Sequence, residues 1–339
     1  MDQEKRKREE EKLAAMKGEL RGKHVLFVTT KNLDYLRNTQ EIRWLEEAAE
    51  KVTVWGSKSS SYVKRLLKLY PKLLFSPLKK YDAAFFGFSP QLVLPFFGWR
   101  FRKKKVFEDF FISVYDTMVC DRQKFKKGSL RAGLTRWLDK KTLRRADGVI
   151  TDTMAHADFF SSEFGVPREK LATLYITGDE AIYYPRPQKK PPKYKDQFIV
   201  LYFGSILPLQ GVEVIGEAMS RFAGDERIRF LFIGPVDKKV SLPKQDNITY
   251  ISWLSQEKLA DYIAAADLCL AGHFNKEIMK AQRTIPGKAM IYETMQKPMI
   301  LGDGPANREY FREDEKHTFV PMGDGEALAR AIRERMQHN

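Results

Sequence analysis

Short apolar, β-branched runs alternate with stretches of helical periodicity along most of the chain. Residues 24–30 (HVLFVTT) are the first continuous apolar run, the pattern of a parallel strand buried on both faces. Residues 40–49 then put Ile42, Leu45, Ala48 and Ala49 at helical spacing, and 52–55 read as a second strand. Strands follow at 82–88, 106–109 and 146–153, with a basic helix over 134–145. After a break the alternation resumes. Strand 198–203 (FIVLYF) leads to a helix over 212–222, strands at 229–234 and 248–253, and a helix over 255–266. A helix after Pro286, a strand at 299–301 and a helix over 326–337 finish the chain. Strand–helix–strand units of this length predict an α/β protein with parallel sheets.

The break is the run PRPQKKPPKYKDQ at 185–197, with four prolines and no large aliphatic residue. It predicts a linker over 186–197. The expected domains are 23–185 and 198–339, with a charged helix or tail over 1–22 and a last helix that can pack back on the first domain.

Composition narrows the partners. The 339 residues suit two domains, and no apolar run approaches the roughly 18 residues a membrane span needs. The first residues lack the apolar stretch of a secretory signal. Lys and Arg number 59 against 44 acids, a net +15 that implies an anionic partner: a nucleotide, lipid headgroups or nucleic acid. Cys120 and Cys269 sit in apolar runs without metal or redox spacing, which reads as burial in a reducing cytoplasm.

Three stretches carry candidate chemistry. Lys280, Arg283 and Lys288 surround Pro286 at a helix start, and Gly302, Asp303 and Gly304 form a later turn. A glycine turn from Gly204-Ser205 to Gln210-Gly211 opens another helix. Free amides, a helix dipole and nearby cations suit an anion; an ordinary solvated basic loop fits the spacing as well. Glu108 and Asp109 end a strand, at the edge where open α/β sheets bind ligands. Ser113, Asp116, Thr117, Asp121 and Arg122 crowd the loop that follows, either as an acceptor site or as helix caps. His156 reads as a helix-cap residue. Residues 62–105 interleave aromatics with cations, which suits an anionic membrane surface or a core helix with snorkelling lysines. Nucleic acid is the least favoured partner. No dinucleotide fingerprint follows the first strand.

The stretch 280–311 resembles the donor-binding core of the family 4 glycosyltransferases. Pro286, Lys288, Lys297, Pro298 and Gly302 match the pattern small-Pro-x-Lys, helix, Gly-Lys-Pro-Val-Ile, Gly-x5-Glu, and Glu309 stands one residue beyond its last position. Gly204 and Gly211 match the ends of Gly-Arg-Leu-x-x-x-Lys-Gly, with Ser205 and Gln210 in place of its Arg and Lys. The usual ribose-binding Glu falls on Ile291, with Glu293 two residues away, and its acidic partner falls on Arg283. Asp109, Phe111, Ile112, Ser113, Tyr115, Asp116 and Thr117 resemble the acidic loop of one branch of the family. The resemblance implies a GT-B fold: two Rossmann-like domains facing each other across a cleft. It implies a retaining glycosyltransferase that needs neither cofactor nor metal and takes a nucleotide sugar such as a UDP- or GDP-sugar. Gly204, Ser205, Gln210, Gly211, Lys280, Arg283, Lys288, Glu293, Gly302, Asp303 and Gly304 would bind the donor. Asp109, with Glu108, would handle the acceptor hydroxyl. A lipid-linked saccharide acceptor, at the cytoplasmic face of a membrane, would account for the basic aromatic stretch. The losses at Ser205, Gln210 and Ile291 leave a second expectation, a catalytically inactive binding subunit.

Overall fold

The computed structural model describes residues 3–236 and 240–338. The ends of the expected N-terminal and C-terminal segments, residues 1–2 and 339, lie outside them. The chain divides between Ile176 and Thr177 into two compact units, each built on one six-stranded sheet with all strand pairs parallel.

The first unit begins with α1 (Gln3–Leu20), β1 (His24–Asn32), α2 (Leu36–Glu46), β2 (Lys51–Ser57), α3 (Tyr62–Phe75) and β3 (Ala83–Phe86). It continues with α4 (Leu94–Phe97), β4 (Lys105–Asp109), α5 (Leu130–Arg145), β5 (Gly148–Thr151), α6 (Met154–Phe164) and β6 (Leu171–Thr173). Its strand order is β2-β1-β3-β4-β5-β6. The chain steps from β1 outward to β2 and then returns to β3 on the other side, so the topological switch point lies between β1 and β3. Apolar side chains cover both sheet faces, as continuous apolar strands require. The charged N-terminal segment is a packed helix: Met16 and Leu20 are buried with Val25 and Phe107, while Lys12 reaches the carbonyls of Arg168 and Leu171.

The second unit holds β7 (Phe198–Phe203), α7 (Val212–Ser220), β8 (Ile228–Ile233), β9 (Ile248–Ile251), α8 (Gln256–Ala265) and β10 (Leu268–Gly272). After these come α9 (Met279–Arg283), α10 (Gly287–Thr294), β11 (Met299–Gly302), α11 (Pro305–Tyr310), β12 (His317–Val320) and α12 (Gly325–Gln337). The order β12-β11-β10-β7-β8-β9 places its switch point between β7 and β10.

Three features add to the sequence reading. The proline-rich run, expected as a linker, is strapped to the second unit. Tyr183 and Tyr194 are buried in that unit's core, Arg186 pairs with Asp261, and Gln188 donates to Ala265 O and Asp267. Proline cannot extend a helix or a central strand, but it does not prevent a segment from lying on a core. The last helix, α12, packs on α7 of its own unit through Leu328, Ala329 and Ile332. Cys120 is exposed, whereas Cys269 is buried and its thiol is pushed up to about 12 by burial. Cys120 sits in a single π-turn, Asp116–Asp121, whose irregular winding turns it outward from an otherwise apolar run.

Candidate functional site

The carboxyl edge of the second sheet gathers most of the expected donor residues. β7 ends at Phe203 and the chain turns through Gly204. The short turn Pro208–Gln210 then leads to Gly211, which caps α7 in a left-handed conformation at φ 64°. A side chain there would strike Asn275 N at 2.6 Å, so only glycine lets the two loops meet. β10, on the other side of the switch point, ends at Gly272 and His273. Gly302 closes β11 so near to His273 that an added Cβ would lie 2.3 Å from its carbonyl oxygen.

Lys288 stands in the first turn of α10, directly after Pro286, and its side chain runs back to this switch point. Its amino group donates to Gln210 Oε1 and lies 4.6 Å over the Tyr202 ring. A Cβ on either Gly204 or Gly272 would come within 3.3 Å of that nitrogen. Lys288 is only 6% exposed, and burial lowers its pKa to about 7. The hydroxyl of Tyr202 is buried with no hydrogen-bond partner, and burial pushes its pKa up. His273 Nδ1 lies 3.0 Å from Thr284 O; burial, then the Lys288 cation, lower its pKa to about 3, so the ring is neutral.

Lys280 and Arg283 are half-exposed on α9. That helix packs against the 208–210 turn through Leu209, Ile278 and Ala281, and against α11 on its other side. Gly304, at the start of α11, lies against the backbone of Gln282. Ser205 is exposed beside Gly204, and Asp303 is exposed and paired with Arg308.

Glu293 lies elsewhere. It occupies the last turn of α10, and its carboxylate meets His317 Nε2 at 2.9 Å, at the start of β12. The amino ends of the strands are there, across the sheet from the glycine turns. From the Ile291 position two residues rotate the side chain by about 200°, so Glu293 does not replace the missing acid.

In the first unit, Asp109 ends β4 as expected, but it is 1% exposed and engaged. Arg37 of α2 donates to it from Nη2 at 2.8 Å and from Nε at 3.3 Å to both oxygens. Arg37 also meets Glu41 at 3.2 Å and donates to the carbonyl of Leu174. Burial and then Asp109 hold the Glu41 carboxyl well above the usual range. Glu108 points to the opposite sheet face, fully buried, with neither oxygen hydrogen-bonded; burial raises its pKa well above normal. A general base must reach its proton within hydrogen-bond distance. Neither carboxylate is presented to do so: Asp109 anchors an ion pair and Glu108 is a neutral core group.

The loop after β4 is organised by a residue with no motif around it. Asp139 of α5 accepts from Ser113 Oγ (2.7 Å), Tyr115 N (2.8 Å), Val114 N (3.1 Å) and Gln91 Nε2 (3.0 Å). Ser113, Asp116 and Asp121 are buried there, Thr117 is half-buried and Arg122 is exposed. His156 opens α6, its amide capped by Thr153 Oγ, and its Nδ1 meets Asp152 Oδ1 at 2.6 Å. It is a helix-start histidine, as expected, with a carboxylate partner that the sequence pattern did not suggest.

Arg37, Asp139, Tyr202 and His273 thus enter the picture only in three dimensions. The i, i+4 spacing of Arg37 and Glu41 was the one local signal among them. Among the described residues no group of three or more His, Cys, Asp or Glu could hold a metal ion, and no helix is long and apolar enough to cross a membrane.

The sequence of the second unit matches a family model, Glycosyl transferases group 1, over residues 197–338. That segment of the chain is similar to group 1 glycosyltransferase domains. No match came from comparison with curated protein sequences. Among solved structures, sucrose-phosphate synthase from Thermosynechococcus elongatus is similar at 15% identity and TM-score 0.63, over 93% of this chain and 90% of that one. HepE of Anabaena, in complex with UDP-glucose, is similar at 12% identity and TM-score 0.61 over the same shares. An α-glucosyltransferase in complex with UDP and a 13-mer DNA containing an HMU base gives 11% and 0.61, again over 93% and 90%. At such identities the likeness is one of fold, and the fold is GT-B: two parallel α/β units in one chain.

Proposed function

We propose that this glycosyltransferase moves a sugar from a nucleotide diphosphate sugar to an acceptor hydroxyl, with retention and without a metal, in cell-surface polysaccharide or glycolipid assembly. The observation that carries the reading is the position of Lys288: a buried amino group at the β7/β10 switch point, beside the glycine turns at 204 and 272. In open α/β sheets ligands bind at that place. The bond from the anomeric carbon to a diphosphate oxygen breaks, and the electron pair leaves with the diphosphate. The acceptor oxygen takes the anomeric carbon and loses its proton. A preorganised cation in a dry site stabilises the departing charge far better than one in water. Lys288 takes over the charge that Ser205 and Gln210 do not supply, with Lys280 and Arg283 on the neighbouring helix. The acceptor side is assigned to the loop 113–122 of the first unit, and the acceptor to a lipid-linked saccharide at the cytoplasmic face of a membrane.

The test is a thermal-shift panel of UDP-, GDP-, CMP- and dTDP-sugars, with and without EDTA. A donor that binds the native state raises the melting temperature. UDP-sugars come first, because HepE and the α-glucosyltransferase are similar structures solved with UDP or UDP-glucose. We expect a shift that survives EDTA and is lost in Lys288→Ala. An undiminished shift in that variant removes the diphosphate assignment.

A further inference from the structure

The first unit carries a surface that its own fold leaves uncovered. Phe75 at the end of α3 is 77% exposed, and Phe96 and Trp99, in and just after α4, are 55% and 56% exposed. These segments are bound into one body. Arg100 donates to Leu73 O (2.5 Å) and Ser76 O (3.0 Å), the Tyr70 and Phe97 rings lie 5.1 Å apart, and Arg145 of α5 donates to Gly98 O at 3.2 Å. Leu67, Leu74 and Trp137 add exposed apolar area on α3 and α5.

Charge surrounds the apolar area. From Lys58 to Phe107 the sequence holds twelve lysines and arginines and a single acid, Asp82, which is occupied by the amide of His24. Between α4 and α5 runs a groove of about 460 Å³. Leu94 and Trp99 form its apolar part, and Arg102, Lys141, Arg144 and Arg145 its basic part. Arg102, Lys141 and Arg144 are exposed.

We propose that the surface of α3, α4 and the last turns of α5 docks this chain on an anionic phospholipid bilayer, with lipid phosphates against Arg102, Lys141 and Arg144. Exposed phenylalanines and a tryptophan ringed by cations match the two layers of such a surface. Rings settle at the acyl boundary, and Lys and Arg remain among the headgroups. Apolar patches of this kind on a soluble domain mark interaction sites, and the near absence of carboxylates selects a negative partner. A protein partner of ordinary composition would bring both signs of charge, and this surface offers its cations few carboxylates. The inference deepens the reading of a lipid-linked acceptor, but it rests on the first unit alone.

The experiment is co-sedimentation of the full chain with phosphatidylcholine vesicles and with vesicles also containing phosphatidylglycerol, at low and high salt. We expect binding to the anionic vesicles only, released by salt. Lys141→Glu/Arg144→Glu should weaken it at least about 25-fold, roughly fivefold for each cation removed. Phe96→Ala/Trp99→Ala should weaken it about tenfold or more. Each variant should keep the wild-type thermal shift with donor, which shows it folded. Equal binding to neutral vesicles, or full binding by the charge-reversal variant, overturns the docking face. So does retention on RNA that anionic vesicles do not compete away. Failure of the wild-type chain to bind anionic vesicles, with its donor shift intact, removes the docking face alone; wild-type vesicle binding without any donor shift removes the transferase reading alone.

Discussion

Lys288 donates to Gln210, joining the start of α10 to the turn that precedes α7. The family pattern has a lysine where Gln210 stands. Here a neutral amide occupies that position and the cation arrives from another helix. Lys288 is buried over Tyr202 while Gln210 is half-buried, so the amino group sits in a largely dry place where its proton is loosely held.

Replacing Lys288 should therefore separate binding from stability. We expect Lys288→Ala to lower turnover by on the order of 10²–10³-fold, the usual loss when one donor to a developing anion is removed. The free protein should not melt earlier in Lys288→Met, because an apolar chain of similar length replaces a desolvated amine. Steady-state kinetics and calorimetry of the same variants check both halves.

Donor binding should take up a proton near neutral pH. Lys288 in the free protein has a pKa of about 7, lowered by burial, so about half is protonated there. A bound diphosphate favours the charged form and raises that pKa. Binding should weaken as pH rises above about 7, and titration calorimetry in buffers of different ionisation enthalpy should show proton uptake. The uptake should vanish in Lys288→Met. For folding the sign is opposite. The folded pKa lies below the unfolded value of 10.5, so the unfolded chain holds more protons between about 7 and 10.5. This residue's contribution to stability rises with pH across that window.

Arg37 should matter for folding more than for chemistry. Arg37→Met leaves Asp109 buried without its cation, which costs about 3–5 kcal/mol. Urea melts of the variant and the wild type measure that loss, and the donor-induced thermal shift should persist in the variant.

Glu108 gives a direct test of whether its carboxyl has a chemical role. Its carboxyl is held neutral by burial, and glutamine has nearly the same shape. Glu108→Gln should keep turnover within about twofold. A large loss of turnover with an unchanged melting temperature would restore a chemical role to this carboxyl.

The loop after β4 offers a fifth check. Asp139→Ala removes an acceptor for four donors and leaves Ser113 and two backbone amides to find others. Such a change costs about 2–4 kcal/mol, and amide exchange at 113–117 should speed up well beyond that of β4.

The alternation of apolar runs and helical spacing determined the two parallel sheets, because a strand covered on both faces must be apolar at every position, a local property. Strand 198–203 was legible in this way to the residue. Pro286, Lys288 and the glycine turns stood out as one candidate group, because glycine and helix-start chemistry are also local. Tertiary structure alone decided which charges face which. Asp109 and Arg37 are 72 residues apart, and Gln210 and Lys288 are 78 apart. Partners so distant are set by strand order and register, which no short window of sequence encodes. Burial followed the same rule: it turned Glu108 from an acid into a neutral core group and Lys288 into a weak base. A side chain's pKa depends on what surrounds it in space, and neighbours in the chain supply only a small part of that surrounding.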